Sequence, residues 1–156
     1  MSSIRVEVDQ ELLARLRNLA DADIAAAMAS VGEALRTSTL ERFDTGKDPD
    51  GRPWKTSIRA QQTGEKTLAI SRRLATSIQP VSSAKGVEYG TNLEYAAIHQ
   101  IGGTIRAKGD GLLKFQIGGQ WISKKEVKIP ARPYLGINED DMREITRIIE
   151  DAVTGD

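Results

Sequence analysis

His99 is the only histidine in this chain of 156 residues, and with no cysteine present it is the one side chain suited to acid–base chemistry near neutral pH. A histidine metal cluster is out of reach, and any metal site would have to combine His99 with carboxylates. A catalytic His99 would need a nucleophile and an orienting carboxylate. Spacing nominates neither, because Glu94, five residues earlier, lies off the same helical face. Beside the Gly102-Gly103 turn, His99 reads instead as a structural residue bonding the backbone. Asp44, Asp48 and Asp50 resemble part of a calcium loop, but Gly51 falls outside the acid series and no Glu closes a loop of about twelve residues. They read as turn formers. Gly102-Gly103 and Gly118-Gly119 lack the strand–glycine–helix setting of a phosphate cradle. Arg72-Arg73 reads as a solvated pair. The absence of cysteine excludes disulfides, zinc–thiolate sites, iron–sulfur clusters and thiol catalysis. A small hydrolase centred on His99 and Asp50 has nothing further behind it, and the expectation is no catalytic residue, no cofactor and no metal.

The elements that would have to position any site come from one modest domain. Hydrophobic residues make up 39% of the chain and aromatic residues 4%, enough for one core but few rings for stacking bases or sugars. No apolar run approaches the ~20 residues of a membrane span. The start, Met1-Ser-Ser-Ile-Arg5, lacks the apolar centre of a signal peptide. These features predict a soluble protein made in the cytoplasm, with no membrane contact.

Charge is balanced in total but not along the chain. Residues 47–73 carry 7 Lys/Arg against 3 Asp/Glu, and residues 104–129 carry 6 against 2. Residues 1–46 carry 5 against 8, and residues 139–156 carry 2 against 7. Basic loops and acidic helix ends on one chain permit head-to-tail packing of copies, as in a ring. A nucleic-acid-binding module using segments 47–73 and 104–129 is the alternative, although a pI of 6.6 does not favour it.

The pattern predicts an α+β fold in a single domain spanning 1–156. Ile4-Arg-Val-Glu-Val8 alternates like a half-buried strand. Leu12, Leu16 and Leu19, then Ile24, Met28, Val31 and Leu35, mark two helices near 10–20 and 22–43. Asp21 and Asp23 at the break are natural N-caps. Together these form a long N-terminal helical segment. A basic loop follows near 44–67. Leu68, Leu74 and Ile78 suggest a short helix ending before Pro80, and Lys85-Gly86 a hairpin turn within a small, mostly antiparallel sheet. Asn92 would cap a short central helix to Ile101. Residues 104–129 read as a projecting β-hairpin arm with turns at Asp110-Gly111 and Gly118-Gly119. Asn138 opens a C-terminal helix whose apolar face is Ile145, Ile148 and Ile149, with acids in its first turn.

Three short motifs stand out because they constrain the backbone so tightly. They are Asp48-Pro-Asp-Gly-Arg-Pro-Trp54, Tyr95-Ala-Ala-Ile-His-Gln-Ile-Gly-Gly103 and Ile129-Pro-Ala-Arg-Pro-Tyr-Leu-Gly136. In the last, two prolines hold the chain extended outside any sheet centre, and Arg132 is the sole charge. A rigidly held guanidinium suits a bidentate carboxylate or carbonyl contact, and Glu139, Asp140 and Asp141 are the nearest acids in sequence. Tyr134 and Leu135 are expected to pack beneath it.

These motifs, in this order and together with Arg42-Phe43, Leu74, Ser77-Ile78 and Gly90-Thr-Asn92, resemble the phage virion morphogenesis family, the tail-completion proteins of P2-like and Mu-like tailed phages. The resemblance spans about residues 5 to 150. It implies a structural protein of the virion, without catalytic residues or cofactor, acting in tail completion and head–tail joining. It implies a homo-oligomeric ring at the neck or tail terminus, sixfold in preference to twelvefold, beside neighbouring neck, tail-terminator or connector proteins. Trp54, Tyr95, His99, Arg132 and Tyr134 become interface or structural residues on this reading. Lys108, Lys114, Lys124 and Lys125 of the arm become candidates for non-specific contact with DNA in the lumen.

Overall fold

Alternation of apolar and polar residues sets the small sheet, and helical periodicity sets the long helix laid on it and the C-terminal helix packed beside that one. The computed structural model describes residues 2–6, 10–68 and 72–155. β1 (Ser2–Val6) and β2 (Gln79–Ser83) both pair antiparallel with β3 (Gly86–Thr91), so β3 is central. Ile4 stands opposite Tyr89, and Val6 opposite Val87. Val8 of the expected first strand and residues 69–71 of the basic stretch lie outside the described residues.

α1 (Gln10–Leu16) and α2 (Asp21–Thr45) break where the hydrophobic phase breaks. The expected caps do not form. Ala20 occupies the N-cap of α2 without a side-chain bond, while Asp21 and Asp23 lie inside the first turn, where they complement the helix dipole. Met28, Val31 and Leu35 face the core, and the same face continues to Thr39, Arg42 and Phe43. Gly32 lets the sheet approach closely, since a methyl group there would come within 2.7 Å of Pro80 Cβ.

The stretch expected as one long loop is partly ordered. Gly46 ends α2 in the left-handed region, and Lys47 bridges to Pro53. The indole of Trp54 is buried. α3 (Ile58–Thr63) then forms, with the Ser57 hydroxyl accepting from the Ala60 amide at 3.1 Å. Two buried apolar groups, Trp54 and Ala60, suffice to anchor a polar segment. α4 (Arg73–Thr76) is a single turn, shorter than the expected helix, and Leu68 lies before it with φ +64°. α5 (Ala96–Ile101) starts from Tyr95 with no side-chain cap, so Asn92 does not cap it. Gly102, at φ +74°, ends it as expected.

The arm consists of β4 (Gly103–Arg106), β5 (Leu113–Ile117), β6 (Gln120–Lys124) and β7 (Glu126–Ile129). Gly118 and Gly119, both at positive φ, close the β5–β6 hairpin. Asp110-Gly111 is not a hairpin turn. β4 pairs with β7, and the excursion 107–112 stands opposite Lys125 alone, so the ribbon has a basal pair and a distal pair. After the extended connector, α6 (Glu139–Thr154) begins at Asn138 with a full capping box to Asp141. Ile145 and Ile149 are buried and Ile148 partly so, and the core lies where α2 packs on β2 and β3 and α6 packs on α2. This is a single α+β domain.

Candidate functional site

The three constrained motifs meet at one place, the connector 130–136. Tyr134 is fully buried and donates its hydroxyl to the Ala96 carbonyl at 2.9 Å. Gln100 on α5 accepts from the amides of Tyr134 and Leu135, each at 3.0 Å, and donates to the Leu135 carbonyl at 3.0 Å. One amide side chain thus imitates a neighbouring strand for a segment that prolines keep out of a sheet. Trp54 donates its indole N–H to the Pro133 carbonyl at 2.8 Å and meets Phe43 edge-on at 5.6 Å. Phe43 lies 5.3 Å from the Tyr134 ring. Gly136 packs so closely on the Pro49 ring that a methyl group there would collide with it. Gly102 is equally restricted, with a hypothetical Cβ at 2.8 Å from the Ala131 amide nitrogen.

Arg132 is 6% exposed and donates from Nε to the Lys55 carbonyl at 2.7 Å, while its own amide donates to the His99 carbonyl at 2.7 Å. A carbonyl contact forms through Nε alone rather than the expected bidentate one, and the acids at the start of α6 are not its partners. Arg42 holds that position. It bonds Asp141 at 2.5 Å, Ser38 at 3.1 Å, and the carbonyls of Tyr134 and Gly136 at 2.9 Å each. Both members of this ion pair are buried, and Asp141 also accepts from the Asn138 amide at 3.0 Å. Arg42 and Gln100 are the residues that motif reading left without a role, and Asp141 pairs with Arg42 rather than with Arg132. Arg42 falls seven positions after Leu35 on the face of Met28 and Val31, and a charge on a core face is the signal that marks a buried partner.

His99 differs from its expected role. Its buried Nδ1 has no hydrogen-bond partner among the described residues, and the ring lies edge-on to the half-exposed Tyr95 at 6.1 Å. Burial first, and the nearby Arg132 guanidinium second, push its pKa below the ordinary value. Burial also lowers the Arg132 pKa. The acids of the supposed calcium loop have local partners. Asp44 pairs with Lys66 at 3.3 Å, Asp48 accepts from the Arg52 amide at 2.8 Å, and Asp50 pairs with Arg52 at 3.6 Å.

Two concave surfaces lie on the domain, one of them beside this hub. A cleft of about 670 Å³ separates the α3 segment from the arm, with Tyr95, His99 and Arg132 along one wall and Phe115, Ile117 and Val127 along the other. The four arm lysines do not share a face. Lys124 lines this cleft, Lys114 is on the opposite face of the ribbon, and Lys108 and Lys125 lie outside the strands, all four exposed. On α2 and α6 an open groove of about 1070 Å³ is lined by four carboxylates, Asp23, Glu33, Glu144 and Asp151, and one cation, Arg147. Arg147 bonds Glu144 and Asp151, each at 2.6 Å. Its hydrogen bond holds Glu144 below the usual carboxylate range.

The model of the phage virion morphogenesis family matches residues 5–154, which includes every residue of the hub. The chain belongs to that family. It is also similar to Mu-like prophage FluMu G protein 2 of Haemophilus influenzae, with 31% identity over 154 residues, covering 97% of this chain and 95% of that protein. No solved structure matches. Among the described residues, no helix of this family member is long and apolar enough to cross a membrane.

Proposed function

We infer that this protein is a structural component of a tailed-phage or prophage virion that completes the tail and joins it to the head as a ring in the neck. The observation that carries the reading is where the family motifs lie. Trp54, Gln100 and Arg42 bond the connector's own backbone, and Arg132 and Tyr134 of the connector reach out to the carbonyls of Lys55 and Ala96. A scaffold of that kind stiffens a subunit for assembly, since each rotamer fixed in advance lowers the entropy cost of association. Opposite charges on separate surfaces suit a heterologous contact that closes on itself. Neighbouring neck, tail-terminator or connector proteins are the further partners, the protein is not an enzyme, and it passes from the host cytoplasm into the virion. The division of the arm lysines between two faces disfavours the nucleic-acid-binding alternative.

Deleting the gene from an inducible prophage tests this. Full heads and separate tails should accumulate, and supplying the chain in trans should restore joined particles carrying it at the neck. Normal joined virions without the chain would overturn the reading.

A further inference from the structure

The arm carries an apolar side chain for which its own subunit provides no cover. No residue of β4 to β7 is buried, and Trp121 is 72% exposed. Trp121 shares its face of the distal hairpin with Gln116, its cross-strand neighbour, and with Lys114. Leu112, beside that hairpin, is also exposed. A two-stranded ribbon is marginal by itself in water, and an exposed tryptophan with a lysine on the same face is the composition of an interface anchor.

The opposite composition lies on the outward face of α2. Ala26, Ala29 and Ser30 floor the acidic groove, with Asp23, Glu33 and Asp151 along its rim. Small side chains let a partner approach the helix closely, and the carboxylates outnumber the single arginine. No arm residue lines the groove, so the Trp121 face and the groove are separate surfaces.

We propose that the distal hairpin of one subunit docks in the α2–α6 groove of the next copy of this chain, with Trp121 on the alanine floor and Lys114 and Lys125 against the acidic rim. The proposal rests on the reading that copies assemble, and it names the surfaces that do so. The segment 104–129 carries 6 basic and 2 acidic residues, whereas 139–156 carries 2 and 7, so the charges match in sign. The contact is heterologous, so one rotation repeated around an axis closes it.

Because the chain has no cysteine, single thiols report this contact cleanly. Ser123→Cys places one on the Trp121 face of the arm and Ala29→Cys one on the groove floor. A mixture of these two variants should form disulfide-linked dimers on mild oxidation, while Ser123→Cys mixed with Ser83→Cys should not. The double variant Lys114→Glu/Lys125→Glu should weaken association by about tenfold or more in sedimentation velocity. Asp23→Lys/Glu33→Lys in the partner should restore it. If the wild type assembles but no arm–groove disulfide forms and the arm reversal assembles normally, the interface lies elsewhere and the ring reading stands. If the reversal assembles normally but particles lose DNA, the arm faces nucleic acid and the proposal falls. A wild type that is monomeric both in solution and in virions overturns the ring reading and this interface together.

Discussion

The connector 130–136 and the arm 104–129 are adjacent in sequence and opposite in construction. The connector has no regular secondary structure, yet Arg132, Tyr134 and Leu135 are buried and bonded from α2, α5 and the Trp54 segment. The arm is β-structure with complete ladders in both pairs, yet none of its strand residues is fully buried. Regularity and stability are therefore separable here. Local hydrogen bonding makes the arm, whereas side chains distant in sequence make the connector. The connector serves the stability of the domain, and the arm, which lends it little burial, is free for the contact proposed above.

The most severe way to break the contrast is to remove the charge at the centre of the hub. Arg42→Ala leaves Asp141 buried without its cation and deprives the Tyr134 and Gly136 carbonyls of a donor. Removing one partner of a buried pair costs about 3–5 kcal/mol, a large share of the 5–15 kcal/mol typical of a domain. Denaturant unfolding should show that loss. Arg42→Met with Asp141→Asn should recover part of it, since the uncompensated charge is then gone. Arg132→Lys is milder, because it keeps the charge and loses the Nε–H donor to the Lys55 carbonyl. A drop of about 1–2 kcal/mol is expected in the same measurement. Unchanged unfolding in both variants would show that the connector is no more a stability element than the arm.

How much of this could be read beforehand differs between the two regions. Pro130 and Pro133 made the extended connector legible, since proline restricts its own φ and the residue before it. Asn138 as the cap of α6, and the two-helix N-terminal segment, were legible for equally local reasons. The Arg42–Asp141 pair was not, because 99 residues separate the partners and acids in a first helical turn read as solvent-facing dipole partners. Asp21 and Asn92 had cap chemistry without cap geometry, which depends on how the chain enters the helix. Asp110-Gly111 had hairpin chemistry, but pairing β4 with β7 carried that turn out of the ladder. At the buried pair and at Asp110-Gly111 a long-range pairing overrode the local reading, whereas at the two caps the backbone entry did.

Acidification sharpens the contrast at the hub's edge. The pKa of His99 is lowered from 6.5 by burial and by Arg132, so the folded chain takes up this proton less readily than the unfolded chain. The stability gained from neutral His99 is complete above 6.5 and is lost as pH falls through the lowered value. Melting temperature should therefore decline on acidification below about 6.5, and His99→Gln should flatten that decline relative to the wild type. Parallel pH profiles for the two proteins would show that the unpartnered imidazole carries no linkage.

The smallest effect on the isolated subunit is expected at its most exposed large side chain on the arm. Trp121→Ser removes an indole that is 72% exposed and stands beside Gln116 and Lys114. A surface change away from caps, cavities and buried pairs stays within about 0.5 kcal/mol, so the unfolding midpoint of the monomer should not move measurably. Hydrogen exchange gives the same contrast without any substitution. Amides of β5 and β6, in a ribbon with no buried residue, should exchange through local opening well below the global unfolding free energy. Amides of β3, which lies between β1 and β2 and carries the buried Val87 and Tyr89, should exchange only near the global limit. Equal protection in β3 and β5 would mean that the arm is held by its own subunit, and the distinction between a stability element and a contact element would then be lost.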